Sequence, residues 1–472
     1  MEVLQRTANR GSISTGYEID NSCKFESDGN EYIDRPVGGS DGSSTQHTIS
    51  CWIKRTELGI DSEPVSAAGI GRFRFESNDT FSYQFRSGKE IITNRVFRDT
   101  SAWYHIVAVA DSSQSTASNR MKLYVNGVQE TSFGTATYQD QNQAAPGWGK
   151  YSTYNFTVGA ATNATRNFNG YLAEVYYIDG QVLDPTYFGE YDDDSGIWKP
   201  KAFSGTFGSL DTYLDFSNAS DLGENSGGTT DLNENSVDSS NQATDTPTNN
   251  FAIYNQLIPK DEFIIYQGGT RSKKTTTNRW RTMASTLAIA NGKWYAEFQN
   301  SLYAATGTAR FVGVAPASIF TETSAATGGY LGGNSTETTD SIGYHSDNGQ
   351  RYINGSGAAY GGSWTTDGII GVALDMDNGY VYFSKNGTWQ NSGDPTSGSS
   401  GTGGIALQLS DEAHYIAGSI YNSNAQLEVN YGGFTVISIA SGNSDANGYG
   451  TFEYAPPSGF YALCTKNLAE YG

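Results

Sequence analysis

Apolar and polar residues alternate along this chain in short runs, the two-residue period of strands with one buried face. His47-Thr-Ile-Ser-Cys-Trp-Ile-Lys, Phe81-Ser-Tyr-Gln-Phe-Arg, Trp103-Tyr-His-Ile-Val-Ala-Val-Ala, Met121-Lys-Leu-Tyr-Val and Gly170-Tyr-Leu-Ala-Glu-Val-Tyr-Tyr-Ile-Asp are the clearest early runs. A second set holds Lys293-Trp-Tyr-Ala-Glu-Phe, Arg310-Phe-Val-Gly-Val-Ala, Ile369-Ile-Gly-Val-Ala-Leu-Asp, Tyr380-Val-Tyr-Phe-Ser-Lys and Leu427-Glu-Val-Asn-Tyr. Asn126-Gly127 and Asn386-Gly387 follow such runs. Both residue types tolerate positive φ, so each pair predicts a tight hairpin. No segment keeps a helical period beyond a turn or two. The pattern predicts an all-β protein of two antiparallel β-sandwich (jelly-roll-like) domains in tandem.

Between the two sets the texture changes. Residues 206–255 carry eight acids, no Lys or Arg, and much Gly, Ser, Thr and Asn. This predicts an acidic connector with one short strand at Tyr213-Leu-Asp-Phe. The expected organisation is a sandwich over 1–205, the connector over 206–255, a second sandwich over 256–433 and a C-terminal arm over 434–472. Adjacent prolines in Tyr454-Ala-Pro-Pro make that arm irregular and set it to pack over the second sandwich.

Composition narrows the function classes. Charged residues make up 17% of the 472, while Gly (56) and Tyr (31) are abundant. That suits many strands and turns rather than helices. The net charge of −21 repels phosphate backbones and argues against nucleic-acid partners. Three cysteines, Cys23, Cys51 and Cys464, make no disulfide scaffold and no zinc motif. No apolar run reaches the length of a transmembrane helix. Met1–Gly11 lacks an apolar signal core, so the expectation is release by cell lysis, as for virion proteins.

Several segments resemble known families. His47-Thr-Ile-Ser-Cys-Trp-Ile-Lys-Arg, Trp103-Tyr-His-Ile-Val-Ala, Leu123-Tyr-Val-Asn-Gly and Gly170-Tyr-Leu-Ala-Glu-Val-Tyr resemble the concanavalin A-like lectin/laminin G-like sandwich over roughly 15–205. Gly292-Lys-Trp-Tyr-Ala-Glu-Phe, Val312-Gly-Val-Ala and Gly371-Val-Ala-Leu-Asp-Met-Asp-Asn-Gly-Tyr-Val-Tyr-Phe-Ser-Lys-Asn-Gly-Thr-Trp resemble the SPRY domain over roughly 256–433. The joint, from Phe188-Gly-Glu-Tyr-Asp-Asp-Asp-Ser-Gly-Ile-Trp-Lys-Pro-Lys to Asp245-Thr-Pro-Thr-Asn, is similar to the connector in tail-associated and other structural proteins of marine bacteriophages.

Candidate chemistry is sparse. A glucanase would need paired carboxylates on one strand face, commonly Glu-x-Asp-x-x-Glu, and that pattern is absent. Glu174 and Asp179 are five apart, which a two-residue period puts on opposite faces. None of the four histidines sits in a nucleophile motif, and His105 is expected to pack. Lectin-like sites stack sugars on exposed rings beside amides and carboxylates. Trp148, Tyr151 and Tyr154, among turn formers, are the candidate platform. Asp192, Asp193 and Asp194 in one loop are the candidate ligands for Ca²⁺, and Asp215, Asp221 and Glu224 are a second acidic group. Tyr360 and Trp364 are expected in the core. The basic cluster Arg271, Lys273, Lys274, Arg279 and Arg281 is expected as a solvated loop or a dock for acidic segments.

The resemblance implies a non-catalytic virion-surface protein, a phage tail-fibre or tail-associated adhesin recognising host cell-surface glycans. Other virion proteins are then its partners, and a homotrimer is the assembly phage fibres suggest. The alternatives are a capsid or tail decoration protein and a glycan depolymerase.

Overall fold

A computed structural model describes residues 16–161, 165–257, 263–275, 279–300, 310–320, 329–333, 340–364, 368–408 and 411–472. The chain divides into two compact units between Asn249 and Asn250. The N-terminal positions 1–15 of the first expected domain lie outside the described residues.

The first unit is built around two large antiparallel sheets, with a separate two-stranded pair of Gly189–Tyr191 and Trp198–Pro200. One runs in the order Val128–Gln129, Met121–Val125, Tyr104–Asp111, Gln46–Arg55, Gly170–Asp179, Ser22–Phe25, Gln242–Ala243, with Thr212–Leu214 also paired to Gly170–Asp179. The other runs Phe133–Ala136, Lys89–Val96, Thr80–Arg86, Gly71–Phe75, Ser62–Ala67, Phe156–Val158, Tyr32–Arg35, Asn233–Asn235. Alternate residues of both bury in one core that includes Ile49, Cys51, Ile53, Phe73, Phe75, Phe81, Tyr83, Ile106 and Leu172. Asn126 and Gly127 have φ of 48° and 79°, and Val128 pairs with Val125, so the expected hairpin forms.

Residues 206–249 are not a connector. They supply Thr212–Leu214, Asn233–Asn235 and Gln242–Ala243 to the two sheets. Leu214, Phe216, Leu222, Leu232 and Val237 bury in the same core. Asp245, one of the eight acids, is buried against Lys54 at 2.6 Å and accepts from Trp103 Nε1 at 3.1 Å. The stretch reads as a linker because its strands are two or three residues long, too short to show a period.

The second unit also has two sheets. The first runs Phe263–Tyr266, Arg271–Lys274, Gln426–Asn430, Lys293–Gln299, Ile369–Asp375, Tyr380–Lys385, Thr388–Trp389. The second runs Arg281–Ala284, His414–Ile420, Arg310–Pro316, Ile342–His345, Gln350–Ile353, Ser356–Ala359. Trp294, Ala296 and Phe298 face the core, while Tyr295 joins Phe452, Phe460 and Cys464 in a separate cluster on the other side of the sheet. The residues expected as an arm are therefore bound in place. Tyr461–Ala462 pairs in parallel with Lys293–Gln299, and the buried Glu297 carboxylate accepts from the backbone N–H groups of Glu453 and Tyr454 at 2.9 and 2.7 Å. Tyr360 and Trp364 lie in the core. The basic cluster is not a solvated loop: Arg271–Lys274 is a strand, Arg271 pairs with Glu428, and Lys274 is buried with its ammonium over the Phe263 ring. Among the described residues no helix is long and apolar enough to cross a membrane.

Candidate functional site

The structure redistributes the residues singled out in sequence. Trp148 is fully buried, stacked on Tyr177 with ring centroids 6.0 Å apart, and its Nε1 donates to Gln84 O at 3.0 Å. Tyr151 is buried beneath the Arg35 guanidinium. These two rings pin their loop to the core and present no stacking face. Tyr154 alone keeps a half-buried ring.

The Asp192 group is likewise occupied locally. Asp192 Oδ1 accepts from Asp194 N, Ser195 N and Ser195 Oγ, and Oδ2 faces Lys199 Nζ at 3.1 Å. Hydrogen bonds from Ser195 and Lys199 hold its carboxyl down at about 2. Asp193 and Asp194 are exposed. Among the described residues no group of three or more His, Cys, Asp or Glu side chains could hold a metal ion, and Asp192 is engaged in its own loop. In the second acidic group, Asp215 accepts from Ser217 and Ser226, and Glu224 from Asn218.

One pair has the look of a nucleophile and its base. Ser50 Oγ and His105 Nε2 lie 2.8 Å apart. His105 Nδ1, however, accepts from Trp198 Nε1 at 2.9 Å, and an indole can only donate. Nε2 therefore carries the ring proton and donates to Ser50, so it cannot take that hydroxyl's proton. Burial holds the ring neutral, down to about 3, between Trp52 and Trp198. Glu174 and Asp179 also serve structure. A register irregularity between Ala173 and Tyr176 turns the Glu174 carboxylate toward the hydroxyls of Tyr17, Tyr176 and Tyr213. The Asp179 carboxylate instead accepts from Ser43 N.

A different set of residues comes together on the second sheet of the first unit. Asn233 stands opposite Asp34, Asp34 opposite Thr157, Thr157 opposite Ser66, Ser66 opposite Arg72, Arg72 opposite Gln84, and Gln84 opposite Glu90. Their chain neighbours Ile33, Val158, Val65, Phe73, Tyr83 and Ile91 all point into the core. Strand alternation therefore puts all seven polar side chains on the outer face, in one row across seven strands.

The row is organised and incompletely satisfied. Asp34 accepts from Asn155 Nδ2 at 2.7 Å and Asn235 Nδ2 at 2.8 Å, which fixes its carboxylate. Ser66 and Thr157, at its centre, are small and buried between longer neighbours. Thr157 Oγ1, Ser82 Oγ, Arg72 Nε and both Glu63 oxygens are buried without a hydrogen-bond partner. Ser82 stands opposite Arg74 one step along the same face, and Glu63 reaches that face beside Arg72. Buried polar atoms cost roughly 1–3 kcal/mol each when unpaired. Ser66 Oγ donates to Ala160 O at 2.9 Å. No local motif signals the row, because its members come from positions 34 to 233 and meet only through sheet register.

These features define the class: a chain of two β-sandwich modules, one of which carries a cross-strand row of polar side chains on the outer side of a sheet. The comparisons agree at the domain level. Residues 27–184 match the concanavalin A-like lectin/glucanases superfamily, and residues 293–432 match the SPRY domain. The chain thus carries a concanavalin A-like domain and a SPRY domain. No curated protein matches it. Among solved structures, the SPRY domain of human HERC1 is 14% identical, with a TM-score of 0.27, covering 35% of this chain and 91% of that one. The TRIM65 PSpry domain is 12% identical, with a TM-score of 0.28, covering 38% of this chain and 88% of that one.

Proposed function

We propose that this protein is a non-catalytic adhesin that holds host-surface glycans on the outer face of its lectin-like sheet, on the outside of a bacteriophage particle as a tail-fibre or tail-associated component. The observation that carries the glycan reading is the match of residues 27–184 to the concanavalin A-like lectin/glucanases superfamily, on whose second sheet the cross-strand polar row from Asn233 to Glu90 lies. Sugar hydroxyls both donate and accept, and Asn233, Arg72 and Glu90 are the members of the row that keep exposed surface to meet them. The phage setting rests on the resemblance of the joint, from Phe188–Lys201 to Asp245–Asn249, to phage structural proteins. Single sites of this kind bind weakly, and many copies on one particle raise avidity by roughly 10²–10⁴.

A glycan array on the purified chain, run beside a reducing-sugar assay, tests the reading. Binding without release of reducing ends supports it. Product release contradicts the non-catalytic assignment, and silence across the array favours a decoration protein that contacts other virion proteins.

A further inference from the structure

Glu63 is the most anomalous group on the recognition face. Its side chain has no exposed surface, and neither oxygen has a hydrogen bond. Its neighbours are guanidiniums held slightly too far for one. Arg166 Nη1 lies 3.6 Å and Arg72 Nε 3.8 Å from the same Oε1. The Arg72 and Arg166 side chains keep 25% and 39% of their surface. Arg74, the third cation beside Glu63, is spent on Glu76, with which its Nε and Nη2 make a bidentate pair. Arg166 is placed deliberately: its backbone has φ of 50°, unusual for a non-glycine, and its carbonyl accepts from Glu63 N at 2.9 Å.

Two guanidiniums that converge on one buried carboxylate, open to solvent on their far sides, form a two-armed clamp for an anion. Resting on the glycan reading, we propose that Arg72 and Arg166 bind the anionic group of an acidic glycan, a carboxylate- or sulfate-bearing sugar.

Glu63 then sets when the clamp is free. Burial pushes its carboxyl up to about 7, against the pull of Arg72, Arg74 and Arg166 and with a push from Glu76. Ionised, it neutralises the arginines and repels an incoming anion. Protonated, it releases both. Acidic-glycan affinity therefore rises as pH falls through 7. If only the protonated form is competent, its population sets the apparent affinity, and the change between pH 8 and pH 6 is about tenfold.

The test uses isothermal titration of the full chain with two acidic oligosaccharides, oligogalacturonate and oligomannuronate, each against its carboxyl-reduced counterpart, at pH 6 and pH 8. The expected result is tighter binding of an acidic form, strengthening about tenfold at pH 6, with a neutral counterpart that does not change with pH. R166Q, at a partly exposed position, is expected to bring the acidic form down to its neutral counterpart. E63Q is expected to keep strong binding at both pH values. Equal binding of acidic and reduced forms, or unchanged binding by a folded R166Q chain, overturns the clamp and leaves the glycan reading standing. Absence of any glycan binding on the array removes that reading itself.

Discussion

Phe216 meets Phe25 edge-on inside the first sandwich, with ring centroids 6.4 Å apart and planes at 71°. The two residues are far apart in sequence, and the contact ties the acidic stretch to the first strand of the fold. A fragment ending at residue 205 would lose Phe216, Leu214 and three strands, and is expected to remain largely unfolded. A fragment over 16–249 is expected to fold. Circular dichroism and thermal unfolding of the two decide the matter, and cooperative melting of the shorter one contradicts the domain boundary at Asn249.

Trp148 is part of the core rather than a sugar platform. Trp148→Ala is expected to destabilise the first unit by about 3–5 kcal/mol, the range for truncating a large buried ring. Tyr154→Ala, at a half-buried position, is expected to cost far less. Denaturant unfolding of both variants checks the order. A Trp148→Ala chain with unchanged stability would return that ring to the list of surface residues.

Glu63 gives a stability signature as well as a binding one. Its folded-state titration near 7 lies above the ordinary glutamate value of 4.5. The folded state therefore holds the proton more tightly, and stability contributed by Glu63 falls as pH rises from about 4.5 to about 7. Glu63→Gln keeps the shape and removes the titration. At pH 8 it is expected to stabilise the first unit by about 1–3 kcal/mol, with little effect at pH 4.5. Thermal unfolding at several pH values measures this, and a Gln variant less stable at pH 8 contradicts the assignment.

Glu297 holds the C-terminal segment of the second unit. Besides the Glu453 and Tyr454 N–H groups, it accepts from Tyr295 O–H at 3.2 Å. Glu297→Ala strands two backbone donors, and is expected to cost about 2–4 kcal/mol. Limited proteolysis should then cut first within 440–460. Wild-type resistance in that segment of the variant argues that the remaining cluster of Phe452, Phe460 and Cys464 suffices to hold it.

The two sandwiches were legible in the sequence because long strands such as Gln46–Arg55 and Ile369–Asp375 carry clear alternation, and Asn126-Gly127 and Asn386-Gly387 mark the hairpins after Met121–Val125 and Tyr380–Lys385. Strands of two or three residues have no period to read, so residues 206–249 looked like a linker. Trp148 lies among Pro, Gly and Lys, which suggested an exposed turn; only the fold shows that the turn doubles back into the core. The recognition row was illegible for a different reason. Register decides which residues stand opposite, and Asp34, Thr157 and Arg72 have no local feature that brings them together.

Hydrogen exchange of the full chain, with and without a glycan selected on the array, tests the central claim most directly. Added protection concentrated in 32–35, 62–67, 71–75, 80–86, 89–96, 156–158 and 233–235 is the predicted result, because those strands carry the row. Protection confined to the loops at the sandwich ends, or to the SPRY domain, would place the sugar elsewhere and contradict it.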